Sequence, residues 1–169
     1  MKRLIYKELK SWTESPIRKP LILRGARQVG KTHLVRQFAQ EFDDFVEINF
    51  EQYPDIKAIF TGNLEPKEII KNISVIKSCS ITPGKTLLFL DEIQACPRAI
   101  IALRYFYELM PELHVIAAGS LLDFAIEQVG VPVGRVSFLQ MYPMSFIEFL
   151  GAQGSDQQVE AILTHSLDQ

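Results

Sequence analysis

The sequence predicts an α/β fold in three layers, a mostly parallel five-stranded sheet with helices on both faces. Three observations lead there. Five short apolar or alternating runs fall at residues 21–23, 45–50, 86–90, 114–118 and 136–139. Between them, apolar residues recur at helical spacing. Strands that alternate with helices close into a parallel sheet covered on both sides. The 169 residues suffice for one such domain with its own core.

Each element has its signal. Residues 2–14 read as a helix with Leu4, Ile5, Leu9 and Trp12 on one face, followed by punctuation at Pro16 and Pro20. Leu21-Ile22-Leu23 is a short apolar run ending at a Gly-rich turn, the mark of a buried parallel strand. From Lys31 to about Gln40, Leu34, Val35, Phe38 and Ala39 keep helical spacing. Phe45 to Phe50 alternates as a second strand, and residues 54–78 read as mainly helical, broken near Gly62 and Pro66. After the Pro83-Gly84 turn, Thr86 to Leu90 is the clearest central strand. Pro97 can open a helix at its first position, running to about Met110 with Ile100, Leu103, Phe106 and Tyr107 on one face. His114 to Ala118 and Val136 to Leu139 complete the strands, and Pro143 to Leu150 reads as a last apolar helix. The division expected is an N-terminal helix at 1–17, a core at 18–150, and a polar region at 151–169.

Composition narrows the function classes. The longest apolar runs are a handful of residues, against the roughly 20 that cross a bilayer, and no signal peptide is visible. Cys79 and Cys96 fit no metal or redox spacing, so two free thiols in a reduced cytoplasm are expected. The net charge is −2, but ten Lys or Arg and two Glu lie through Arg36, a local +8, which leaves −10 for the rest. Such a basic region could meet nucleic acid, or it could be a solvated surface around a phosphate site.

The chemistry sits in two segments. Gly25-Ala26-Arg27-Gln28-Val29-Gly30-Lys31-Thr32 matches G-x-x-x-x-G-K-[ST], the Walker A pattern, in full, between an expected strand and an expected helix. The glycines let backbone N–H groups wind around phosphate oxygens, and the helix start adds its positive dipole end. Lys31 reaches the β- and γ-phosphates, and Thr32 ligates Mg²⁺. The second segment carries Asp91-Glu92 out of an apolar strand, as in the Walker B pattern. Asp91 can hold the Mg²⁺ shell, and Glu92 can act as general base toward water. The plainer reading is an acidic cap on the next helix. No Asn/Thr-Lys-x-Asp guanine reader follows, which favours ATP.

Two further residues admit two readings each. Ser120 could sense the γ-phosphate, or cap the following helix. Arg135 could sense the γ-phosphate or serve a neighbouring subunit as an arginine finger, or be a loop charge held by a carboxylate. His33, His114, His165 and the Arg104–Tyr107 cluster are read as structural.

Taken together these segments resemble the N-terminal ATPase domain of a prokaryotic AAA-type family whose members carry a C-terminal domain of unknown function. The resemblance rests on residues 23–32, Ile48-Asn49-Phe50-Glu51, Leu90-Asp91-Glu92-Ile93-Gln94 and Ala117-Ala118-Gly119-Ser120, together with Val133-Gly134-Arg135-Val136 and Tyr142 to Leu150. It implies the additional-strand P-loop fold, with the Asp91 and Ser120 strands beside the phosphate-loop strand. It also implies a first-sensor role for Ser120. Members of the family continue into a C-terminal domain thought to resemble restriction nucleases, so residues 151–169 are expected to begin a truncated region.

The function expected is Mg-dependent ATP binding and hydrolysis. Two alternatives are an ATP-dependent switch with incidental hydrolysis and a DNA-associated module. The partners expected are ATP and a second copy or another protein; nucleic acid stays open.

Overall fold

The computed structural model describes residues 4–130, 134–154, 157 and 160. Five strands, β1 (Leu21–Arg24), β2 (Asp44–Asn49), β3 (Thr86–Asp91), β4 (His114–Gly119) and β5 (Ser137–Gln140), form one sheet in the order β2-β3-β4-β1-β5. Every neighbouring pair is parallel. The helices are α1 (Tyr6–Glu14), α2 (Lys31–Phe38), α3 (Pro66–Lys77), α4 (Pro97–Leu109), α5 (Leu122–Val129) and α6 (Phe146–Ala152).

Strand parity builds the three layers. Ile22, Leu88, Leu90, Val115 and Ala117 point into one core with Ile69 and Ile73 of α3, Ile100, Leu103 and Phe106 of α4, and Leu122 of α5. Leu21, Leu23, Leu87, Phe89, Ile116 and Ala118 point the other way, onto Leu9 and Trp12 of α1 and Leu34, Val35 and Phe38 of α2. Both faces of β3 and β4 are therefore buried along their whole length. That is why these two strands read as unbroken apolar runs.

The order puts β4, rather than β3, at the middle of the sheet; β3 lies one place away, between β2 and β4. Two helix ends also differ from expectation. The first helix begins at Tyr6, with residues 1–3 outside the described residues, and Leu4 is exposed rather than on the buried face. The last begins at Phe146 rather than Pro143, because Ser145 and Glu148 cap it reciprocally. The Ser145 amide donates to the Glu148 carboxylate at 2.9 Å, and the Glu148 amide donates to the Ser145 hydroxyl at 3.2 Å. This helix runs on to Ala152, across the boundary expected at residue 150.

His114 opens β4 under Trp12 and Phe42, whose rings meet it edge-on at 5.9 and 4.9 Å. Burial, with nearby Arg18, pushes its pKa down to about 4. The unfolded chain takes up that proton near pH 6.5. Stability tied to His114 is therefore full above about pH 6.5 and is lost as pH falls toward 4. Thermal melts should show Tm falling between pH 7 and pH 5, with a shallower fall in His114→Phe, which keeps the aromatic contacts and removes the titration.

Candidate functional site

All five strands run the same way, so their C-terminal ends share one edge of the sheet. There β1 delivers the loop from Gly25 to Gly30, β2 delivers Asn49, β3 delivers Asp91 and Glu92, and β4 delivers Gly119 and Ser120. A cavity of about 490 Å³ opens at this edge, lined by Arg27, Gln28, Gly30, Lys31, Thr32, His33, Arg36 and Glu92.

The loop needs its glycines. Gly25 has φ 154°, and a Cβ there would lie 2.5 Å from the carbonyl oxygen of Met141. The Met141 amide donates to the Arg24 carbonyl at 2.8 Å, so the chain leaving β5 forms the floor of the loop. Gly30 is left-handed at φ 94° and begins α2. Gln28 also sits at positive φ, 64°, where a side chain is disfavoured. Lys31 is buried, and its ammonium donates to the carbonyls of Gly25 and Ala26, each at 2.7 Å. Burial lowers its pKa, opposed by the charges of Glu92 and Asp91.

Asp91 shares the strand parity of Leu87 and Phe89, so it faces α2 and meets Thr32. The Thr32 hydroxyl donates to Asp91 Oδ2 at 2.8 Å, and the Glu92 amide donates to Oδ1 at 3.0 Å. Asn49, paired with Asp91 in the sheet register, lies 3.4 Å from Oδ2 through its amide nitrogen. Burial still raises the Asp91 pKa, with Glu92 and Glu47 pushing the same way. A buried carboxylate beside a hydroxyl is a donor pair that fits a hard cation such as Mg²⁺. Among the described residues no group of three or more His, Cys, Asp or Glu gathers for a metal.

Parity would send Glu92 to the opposite face, with Leu88 and Leu90. Its left-handed backbone, φ 52° and ψ 45°, breaks that alternation, and Glu92 lines the cavity instead. The acidic pair therefore does not serve as a side-chain cap: the turn Ile93–Ala95 has no side-chain cap bond. Ser120 is buried, one residue past the end of β4. It does not cap α5 either; the preceding residue of that helix is Leu121, with no side-chain cap bond.

Arg135 lies elsewhere. It precedes β5, whose first residue pairs with the first residue of β1, and so belongs to the edge opposite the cavity. There it forms an ion pair with Glu108 at 3.2 Å, shared with Arg104 at 3.0 Å. Pro132 and Val133 of its motif lie outside the described residues. Among the described residues, three of the ten bases in the first 36 positions meet acids of later segments in ion pairs. Lys10 pairs with Glu41, Arg27 with Glu51 and Arg36 with Glu47. Lys2 and Arg3 fall outside the described residues.

Sequence reasoning gave no role to Asn49, Gln94 or Met141. Their signals are three-dimensional: a register partner, a turn and a strand end that meet only when the sheet closes. Cys79 and Cys96 are free, as expected. Among the described residues no helix is long and apolar enough to cross a membrane.

A family model described as an AAA domain matches residues 17–150. No curated protein sequence matches the chain. Among solved structures, AMPPCP-bound DnaA from Aquifex aeolicus aligns over 95% of this chain and 55% of its own, at 16% identity and a TM-score of 0.52. The Aeropyrum pernix ORC1 protein in complex with DNA aligns over 92% of this chain and 50% of its own, at 14% identity and a TM-score of 0.52. At these identities the likeness is one of fold, and the chain spans about half the length of each.

Proposed function

The chain belongs to the AAA-domain family, and on that premise we propose that it binds Mg-ATP in the cavity around residues 25–32 and hydrolyses the β–γ phosphoanhydride bond. The observation that carries this reading is a cavity lined by Lys31, Thr32 and Glu92, with Thr32 hydrogen-bonded to the buried Asp91 behind it.

In this reading the backbone N–H groups of Gly25, Ala26, Arg27, Gln28, Val29 and Gly30 enclose the phosphates, and Lys31 gives up its loop carbonyls for β- and γ-phosphate oxygens. Thr32 and Asp91 would hold Mg²⁺, which supplies charge neutralisation on the phosphates. Glu92 takes a proton from water as the water oxygen bonds to the γ-phosphorus; the bridging P–O bond breaks and its electrons leave with ADP. Ser120, at the end of the strand between Asp91 and the loop, orients the γ-phosphate or the water. Arg135 stands on the far edge, so charge it offers to a phosphate goes to a second copy of the chain. A homo-oligomer is the partner arrangement proposed with that role. A soluble cytoplasmic setting suits the ATP pool this chemistry uses.

Ligand-dependent melting tests the reading. Saturating Mg-ATP should raise Tm; binding at about 100 times Kd contributes about 2.7 kcal/mol. Chelating the metal with EDTA should remove most of the shift, and Mg-GTP should give little. An equal shift with GTP would contradict the nucleotide assignment.

A further inference from the structure

Glu92 stands on a single left-handed residue at the mouth of a cavity, half-buried, with a flexible side chain. A base so placed needs something to hold it. Gln94, two residues on, is the group that meets it. Its amide nitrogen donates to Glu92 Oε2 at 2.5 Å and lies 3.4 Å from Glu51 Oε1. Glu51 in turn pairs with Arg27 of the phosphate loop at 3.6 Å.

The other end of the amide explains the geometry. Gln94 Oε1 is buried and has no hydrogen-bond partner among the described residues. It packs against Gly119 at the end of β4, where a Cβ would collide with it and would also meet the Leu122 side chain at 3.2 Å. A buried acceptor without a partner is costly. Turning the amide over would be worse, because its oxygen would then face the carboxylates of Glu92 and Glu51. The side chain is thus held for its nitrogen end, and a Cβ at Gly119 would take the space its oxygen occupies.

We propose that Gln94 is the positioning residue for Glu92: it clamps the carboxylate from a seat on β4 and links it, through Glu51, to Arg27 of the phosphate loop. This rests on the reading of Glu92 as the base. The clamp restricts the rotamers of Glu92 to the one that faces the cavity, and the shared contact with Glu51 makes the position of the base depend on the loop that holds the phosphates. Misplacing a reacting group by about 1 Å costs roughly 100-fold in rate.

The test compares Gln94→Met, which keeps length and removes the donor, and Gly119→Ala, which evicts the amide, with wild type. Turnover, Mg-ATP affinity and Tm are measured for each, alone and in a Glu92→Gln background. Turnover should fall about 10- to 100-fold in Gln94→Met, with ATP affinity close to wild type and Tm lowered, and with no further loss once Glu92 is Gln. Gly119→Ala should reproduce the loss; if it fails to fold, Gln94→Met decides alone. Turnover within twofold of wild type in Gln94→Met overturns the proposal, as does a loss of equal size in the Glu92→Gln background. Should wild type bind ATP without turnover, the hydrolytic reading falls, and melting decides the contact by itself. A Tm change on Gln94→Met that disappears in a Glu92→Ala background keeps the clamp, and an unchanged Tm or an additive change overturns it.

Discussion

Lys31→Ala should fold normally and bind Mg-ATP at least about 100-fold more weakly than wild type. The expectation follows from where the ammonium is held. Lys31 is buried, with its charge placed on the carbonyls of Gly25 and Ala26 at the entrance of the phosphate loop. Removing it deletes the cation nearest the β- and γ-phosphates. Charge-assisted hydrogen bonds contribute about 1.5–3 kcal/mol each, and two of them exceed the roughly 2.7 kcal/mol that separates 100-fold in affinity. The fold should survive because Lys31 starts α2, where Ala is favourable, and the exposed Ala26 can turn its carbonyl to water. Calorimetric titration with Mg-ATP measures the loss, and a thermal melt without ligand checks the fold. Affinity within threefold of wild type would remove Lys31 from the phosphate site.

Glu92→Gln should separate binding from chemistry. The substitution keeps size and leaves an oxygen able to accept the Gln94 amide, so the cavity and the ATP affinity should be nearly unchanged. In the proposed reading it removes the group that accepts the proton from water. General-base catalysis contributes about 10²- to 10⁴-fold, so phosphate release should fall by that much. Single-turnover release of phosphate from bound ATP reads the chemical step apart from product release. Wild-type turnover in Glu92→Gln would assign the base elsewhere. Loss of ATP binding with it would recast Glu92 as part of the binding site.

Much of this arrangement was legible in the sequence because its causes are local. The residues of β3 and β4 are buried on both faces, which produces the apolar runs at 86–90 and 114–118. Gly25 and Gly30 occupy backbone conformations that disfavour side chains, and so the loop carries a pattern that can be read without neighbours. What escaped depends on contacts distant in sequence. Strand order is set by how the two apolar faces are divided between α1 with α2 and α3 with α4 and α5, and nothing in the Thr86–Leu90 run alone says that β4 takes the middle place. The last helix starts late because Ser145 and Glu148 cap it, a spacing that the apolar run from Pro143 conceals. Alternation alone points Glu92 away from the cavity, and only its left-handed backbone brings it back. Asn49 and Gln94 stand in segments that carry the resemblance and Met141 does not, but the contact that each makes comes from a neighbouring strand. Arg135 shows the reverse: a residue singled out by its motif is carried by the parallel topology to the edge away from the cavity.

Hydrogen–deuterium exchange of the purified chain with and without Mg-ATP tests the central claim most directly, because it locates the ligand without requiring turnover. Bound nucleotide should slow exchange at the amides of residues 25–32 and at Asp91 and Glu92, with little change at β5 and the Arg135 edge. Unchanged exchange at residues 25–32 under saturating Mg-ATP, or protection confined to another part of the chain, would contradict it.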